Sequence, residues 1–219
     1  MHDIFERYGN LLREVDLWFA ASLAHHPADI ACHQGCSACC RGLFDITLLD
    51  ALYLRSGFDR LPEGIRSAVL PRAKVRLDDI TECWPLFSAP WLLNPIPEQE
   101  WDAIMPDDDE IPCVLLSEEG TCLVYDYRPM TCRLNGIPLI DVSGEELFED
   151  WCTLNFVNND PLLLEELRHP FNALFAQELL LFRELTRRLL GESINELDTL
   201  IPAAVWIDVS MLGKRTETF

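Results

Sequence analysis

Basic side chains are scarce in this chain. Seventeen lysines and arginines stand against 37 aspartates and glutamates, giving a formal charge of -20. Nucleic-acid binding needs a cationic footprint that displaces counterions from phosphate, and this balance offers little for one. A protein partner with a basic surface is compatible with it, as is a homo-oligomer. Long apolar runs are missing too. No uncharged stretch reaches membrane-spanning length, and Met1-His2-Asp3-Ile4-Phe5-Glu6-Arg7 lacks the pattern of a secretory signal. These absences set the expectation of a cytoplasmic protein without membrane attachment. The chain also lacks a Gly-x-Gly-x-x-Gly loop, a phosphate-binding loop, a His-Glu-x-x-His pair and a recognisable adenosylmethionine loop.

What the sequence has in excess is cysteine: nine in 219 residues. Four of them fall within Cys32-His33-Gln34-Gly35-Cys36-Ser37-Ala38-Cys39-Cys40. A packed apolar core does not need thiols at such spacing, whereas soft-metal coordination does. An odd number of cysteines, with Cys39 and Cys40 adjacent, argues against a disulfide framework, and cytoplasmic thiols stay reduced. Gly35 suits a tight ligand loop because glycine accepts positive φ. The second group is Cys113, Cys122, Cys132 and Cys152. Cys36, Cys39, Cys122 and Cys132 head the candidate ligands, followed by Cys32, Cys40 and Cys113. Cys152 is either a ligand or a buried thiol beside Trp151, and Cys83 reads as structural. Adjacent residues point apart in most backbones, so Cys39 and Cys40 either serve two nearby sites or divide between a site and the core. His33 is either a surface imidazole, the favoured reading, or a ligand or a group supporting one, and His25 and His26 are read the same way. Arg128 and Arg133 flank Cys132 and either hydrogen-bond its thiolate or pair with carboxylates. Tyr125 is expected to pack its ring in the core.

With 49% apolar residues, six tryptophans and eleven phenylalanines, the chain has ample material for a core. Ile4, Leu11, Val15 and Trp18 recur at helical spacing and predict a helix over 3–24, with Asp3 as a cap and Pro27 just past its end. A second helix is predicted from Thr47 to a stop at Gly57, with Thr47 and Asp50 resembling a capping box. A third is predicted over 63–79. Prolines punctuate 83–112, leaving room for a short helix at 98–104. Asp107-Asp108-Asp109-Glu110 reads as an acidic turn in solvent. Val114–Leu116 and Cys122–Tyr125 look like two strands around Glu118-Glu119-Gly120, with a further irregular strand at 137–140. Asp160-Pro161 fits a helix start. After Pro170 an apolar face from Phe171 through Leu174, Phe175, Leu179, Phe182, Leu185 and Leu189 runs to Gly191, as core or as a dimer surface.

The cysteine run is followed by Ile46-Thr47, Asp50-Ala51, Pro112-Cys113, Gly120-Thr121-Cys122, Tyr125, Arg128-Pro129 and Cys132-Arg133. In this order of residues the chain resembles the zinc- or iron-chelating cysteine-cluster family, the YkgJ-like CxxxCxxCC proteins, over about residues 30–135. The resemblance implies metal chelation and leaves the reaction open. Some proteins with such a cluster are associated with protein lysine methylation, and others carry an iron–sulfur oxidoreductase label. Where the family often has Cys-Pro-Phe-Leu, this chain has Cys113-Val114-Leu115-Leu116, a difference that bears on packing rather than ligation.

The expected architecture is one domain over 1–219. It is mainly α with a small irregular β element, and a metal-organised cysteine knot is flanked by helices. Its metal-binding core would cover 30–135, or extend to 152, with a helical extension over 155–219. Setting Cys83 aside leaves eight thiols: Cys32, Cys36, Cys39, Cys40, Cys113, Cys122, Cys132 and Cys152. They suffice for one or two centres of zinc, iron or a [4Fe-4S] cluster. Three functions follow: a metal-binding protein whose closed site organises the fold; an iron–sulfur oxidoreductase or part of a protein-modifying enzyme; and a metal chaperone or sensor with labile thiolates.

Overall fold

The first 25 residues place Ile4, Tyr8, Leu11, Leu12, Val15 and Trp18 on one stripe, and all six are buried. That stripe is the inner face of α1, His2–His25. The computed structural model describes residues 1–33, 35–148 and 151–212. Asp3 is not the cap. Met1 holds that position without a side-chain hydrogen bond, and Asp3 sits in the first turn, where its charge faces the positive end of the helix dipole.

The described residues are mainly helical with a small β element. After α1 come β1 (Asp45–Thr47), α2 (Leu48–Phe58), α3 (Glu63–Cys83), α4 (Trp101–Ile104), α5 (Met130–Leu134), β2 (Leu139–Ile140), β3 (Glu146–Phe148), α6 (Phe171–Leu190), β4 (Asp198–Leu200), α7 (Ile201–Ala204) and α8 (Val209–Leu212). The chain divides into two compact units, Met1–Cys39 with Met130–Leu181, and Cys40–Pro129 with Phe182–Phe219.

In the first unit α1 packs on α5 and on the turn at Glu165–Leu167. The Trp18 indole N–H donates to the Leu167 carbonyl at 2.8 Å, and its ring meets Phe171 edge-on with centroids 4.8 Å apart. The buried Arg133 guanidinium on α5 pairs with Asp16 on α1. β2 and β3 form an antiparallel hairpin with an irregular register, Leu139 opposite Phe148 and Ile140 opposite Glu146.

Asp160-Pro161 begins only a 3-10 turn, Pro161–Leu163, with the Asp160 carboxylate accepting from the Leu162 N–H at 3.0 Å. The long helix starts at Phe171, and its N-terminal donor is satisfied from a distance. Asp141, in the β2–β3 turn, accepts from the Asn172 N–H at 3.0 Å and from the Ser143 N–H at 3.1 Å. These two backbone donors hold its carboxyl below the usual range, against a smaller opposing effect of burial. A cap supplied 31 residues upstream is invisible to local pattern reading.

In the second unit β1 pairs antiparallel with β4, Ile46 opposite Thr199 and Thr47 opposite Asp198. Thr47 caps α2 by accepting from the Asp50 N–H at 3.1 Å. α3 runs four residues beyond the expected end at 79 and carries Pro71 inside. Its buried residues Val69, Ala73, Leu77 and Ile80 form one face. Leu77 and Ile80 join Phe87, Leu93, Ile96, Ile104, Leu200 and Ala203 in a core flanked by Trp84, Trp91, Trp101 and Trp206. The proline-punctuated segment therefore contributes much of this core despite having little regular structure.

Gly57 is not a helix stop; α2 continues to Phe58. The residue is small because the Tyr127 ring lies across it, and an added Cβ would stand 2.2 Å from Tyr127 Cγ. Tyr127 also stacks near Tyr53, with centroids 5.2 Å apart, and under the Arg60 guanidinium at 5.1 Å. Gly57→Ala gains roughly 1 kcal/mol of helix propensity, while so close a clash places the cost of displacing the ring in the upper part of the overpacking range, about 2–3 kcal/mol. We expect a net loss of about 1–2 kcal/mol in a urea titration; an unchanged or raised midpoint would show that Tyr127 swings aside freely.

Two further expectations change. Residues 114–124 make no strands: one bridge, Leu116 with Cys122, closes the turn, supported by Leu123 N–H donating to Leu115 O at 2.9 Å. Tyr125 is exposed rather than in the core, and Arg128 lies over its ring at 3.7 Å.

Candidate metal centre

All nine cysteines are thiols. The division into units assigns Cys32, Cys36, Cys39, Cys132 and Cys152 to the first and Cys40, Cys83, Cys113 and Cys122 to the second. The adjacent pair Cys39-Cys40 is thus parted.

In the first unit the chain leaves α1 at His26 and turns back. His26 O accepts from Asp29 N–H and Ile30 N–H, both at 3.1 Å. A later segment packs beside this loop: Phe156 N–H donates to Asp29 O at 2.7 Å, and Asn155 N–H to Cys152 O at 2.9 Å. Cys152 and Cys32 are brought into one neighbourhood in this way. A turn closed by Cys36 N–H to His33 O at 3.0 Å, with Gly35 at φ 87°, carries the chain on to Cys36. Burial pushes the Cys32 thiol up; a hydrogen bond from Asn155 opposes it, and the charges of Cys36, Cys152 and Cys39 push it further. Those three thiols therefore lie within electrostatic reach of Cys32. Cys132 sits half-buried on α5, beside the buried Arg133 whose guanidinium pairs with Asp16.

Asn155 is the residue the sequence reading missed. It is 2% exposed. Its carbonyl oxygen accepts from Ala31 N–H at 2.7 Å, and its amide donates to Gly136 O and to Cys32 Sγ, the latter at 3.4 Å. Gly136, at φ 118°, leaves room for the sulfur: an added Cβ would lie 3.3 Å from Cys32 Sγ. No local signal marks either residue, since both act across long sequence separations.

In the second unit, residues 40–42 pair with 111–113. Cys113 N–H donates to Cys40 O at 2.9 Å, Gly42 N–H to Ile111 O at 3.0 Å, and Arg41 bridges Pro112. Burial pushes the Cys113 thiol up to about 11; Leu115 N–H opposes this, Cys122 adds to it and Arg72 opposes it. Cys83, the last residue of α3, is exposed. His33 is exposed with Nδ1 against Ala31 O at 2.8 Å, and His25 likewise contacts Ala21 O.

Among the described residues, no group of three or more His, Cys, Asp or Glu side chains takes up a metal-holding arrangement. By side-chain type, thiols are soft donors, and Cys32 Sγ receives an amide N–H from Asn155. No protein-family model, curated protein or solved structure matches this chain. Among the described residues, no helix is long and apolar enough to cross a membrane.

Proposed function

We propose that this is a metal-binding protein that holds zinc or iron through clustered thiolates. The observation that carries the reading is the packing of the Cys152 loop against the start of the Cys32–Cys40 run: Asn155 N–H donates to Cys152 O, while its side chain accepts from Ala31 N–H and donates to Cys32 Sγ. Four thiols in one neighbourhood repel when ionised, and a soft divalent ion removes that cost while displacing their protons. Cys32, Cys36, Cys39 and Cys152 would hold the ion. Bound there, it would supply a closed, four-thiolate cross-link of the kind that adds directly to folding free energy. The ligand types support this reading over open-site catalysis, because none of the four is the histidine or carboxylate common at hydrolytic zinc.

Anaerobically purified protein is expected to contain zinc or iron, with acid-labile sulfide distinguishing a cluster from a mononuclear ion. Cys36→Ser should lower the metal content, and chelation should depress the melting temperature. A stabilisation of about 5 kcal/mol corresponds to a drop of roughly 10–20 °C for a chain of this size. Protein purified without metal, or an unchanged melt after verified metal removal, would overturn the reading.

A further inference from the structure

We infer that Asn155 is a positioning residue for the thiolate centre, donating its amide N–H to Cys32 Sγ and fixing that sulfur's direction. The inference rests on the metal-binding reading above. Its geometry leaves the amide little choice. A backbone N–H only donates, so the oxygen of Asn155 faces Ala31 N–H at 2.7 Å. That turns the NH2 group toward the two remaining neighbours, Gly136 O and Cys32 Sγ, and a NH2 group has two hydrogens for these two acceptors. The side chain is buried, so water does not compete for either hydrogen. Gly136 contributes by lacking a Cβ where the sulfur sits.

The same side chain ties three segments together: the Ala31-Cys32 loop, the residues after α5, and the loop that carries Cys152. An amide hydrogen bond to sulfur holds its lone pairs in one direction. Groups in this role typically contribute 10–100-fold in metal affinity.

Asn155→Asp keeps an oxygen for Ala31 N–H and deletes the donor to sulfur. Cobalt(II) and zinc titrations against a competing chelator, with circular dichroism to verify folding, read the effect. The expected result is a loss of about 10–100-fold in affinity and a shifted thiolate-to-cobalt absorption band. In a Cys32→Ser background the same substitution should change affinity less than threefold, because its target sulfur is gone. Asn155→Ser, which lacks the amide but adds no charge, gives the same comparison if the aspartate variant does not fold. An ion-binding wild type whose affinity and spectrum are unchanged in a folded Asn155 variant would overturn the inference alone, as would an equal loss with and without Cys32. A wild type that binds neither ion would overturn the metal-binding reading and the inference with it.

Discussion

Arg76→Met is expected to destabilise the protein by about 3 kcal/mol, the low end of the cost of breaking a buried ion pair. Arg76 on α3 pairs with Asp109, and their side chains are 16% and 6% exposed. The carboxylate also accepts from Ile111 N–H at 3.0 Å. With the guanidinium gone, a nearly enclosed charge keeps one backbone donor and loses its counterion. Arg76 retains some access to water, which holds the estimate below the largest values of about 5 kcal/mol. The double variant Arg76→Met/Asp109→Leu should recover most of the loss, since replacing both charges removes the desolvation problem. Urea unfolding of the four species gives the coupling directly. Additive losses would show that the pair is not coupled. The pair also corrects the reading of Asp107–Glu110 as a turn wholly in solvent: Asp109 is turned inward.

Asp198→Asn is expected to stabilise the protein at pH 8 and to leave stability unchanged near pH 3. Asp198 lies in β4 and is buried; burial, then the charges of Asp45 and Glu196, raise its carboxyl to about 7, with Asn94 opposing and Asp50 adding. The unfolded carboxyl titrates near 3.8. Between these values the unfolded chain has released a proton that the folded chain retains, so stability falls as pH rises. Below 3.8 both states are protonated and the favourable contribution is complete; above about 7 it has been lost. Asparagine mimics the protonated form at every pH. The difference should grow across this window to on the order of 4 kcal/mol, the equivalent of about three pKa units. Urea midpoints of both proteins at pH 3, 5 and 8 test it. A constant offset across these values would mean that Asp198 titrates alike in both states.

The elements with strong local patterns were legible before the fold was known. The apolar stripe Ile4–Trp18 gave α1, Thr47-x-x-Asp50 gave the start of α2, and Phe171–Leu185 gave α6. The shared reason is that amphipathic periodicity and capping act within one or two turns. The cysteine run set an expectation of soft-ligand chemistry by composition alone. That Cys39 and Cys40 would part was legible, but what each would meet was not. Cys39 and Cys40 are neighbours in sequence, yet Cys39 lies in reach of Cys32, while Cys40 O receives the Cys113 N–H.

What tertiary structure decided has one physical cause: a polar group withdrawn from water must find a partner wherever the folded chain brings one. Asp141 caps a helix 31 residues away, Asp109 meets Arg76, and Asn155 links Ala31, Cys32 and Gly136. None of these pairs has a sequence spacing that a local rule detects. Sequence alone determined the helical class, the acidic surface and the supply of thiols. The fold determined which thiols share a neighbourhood and which buried side chains hold them there.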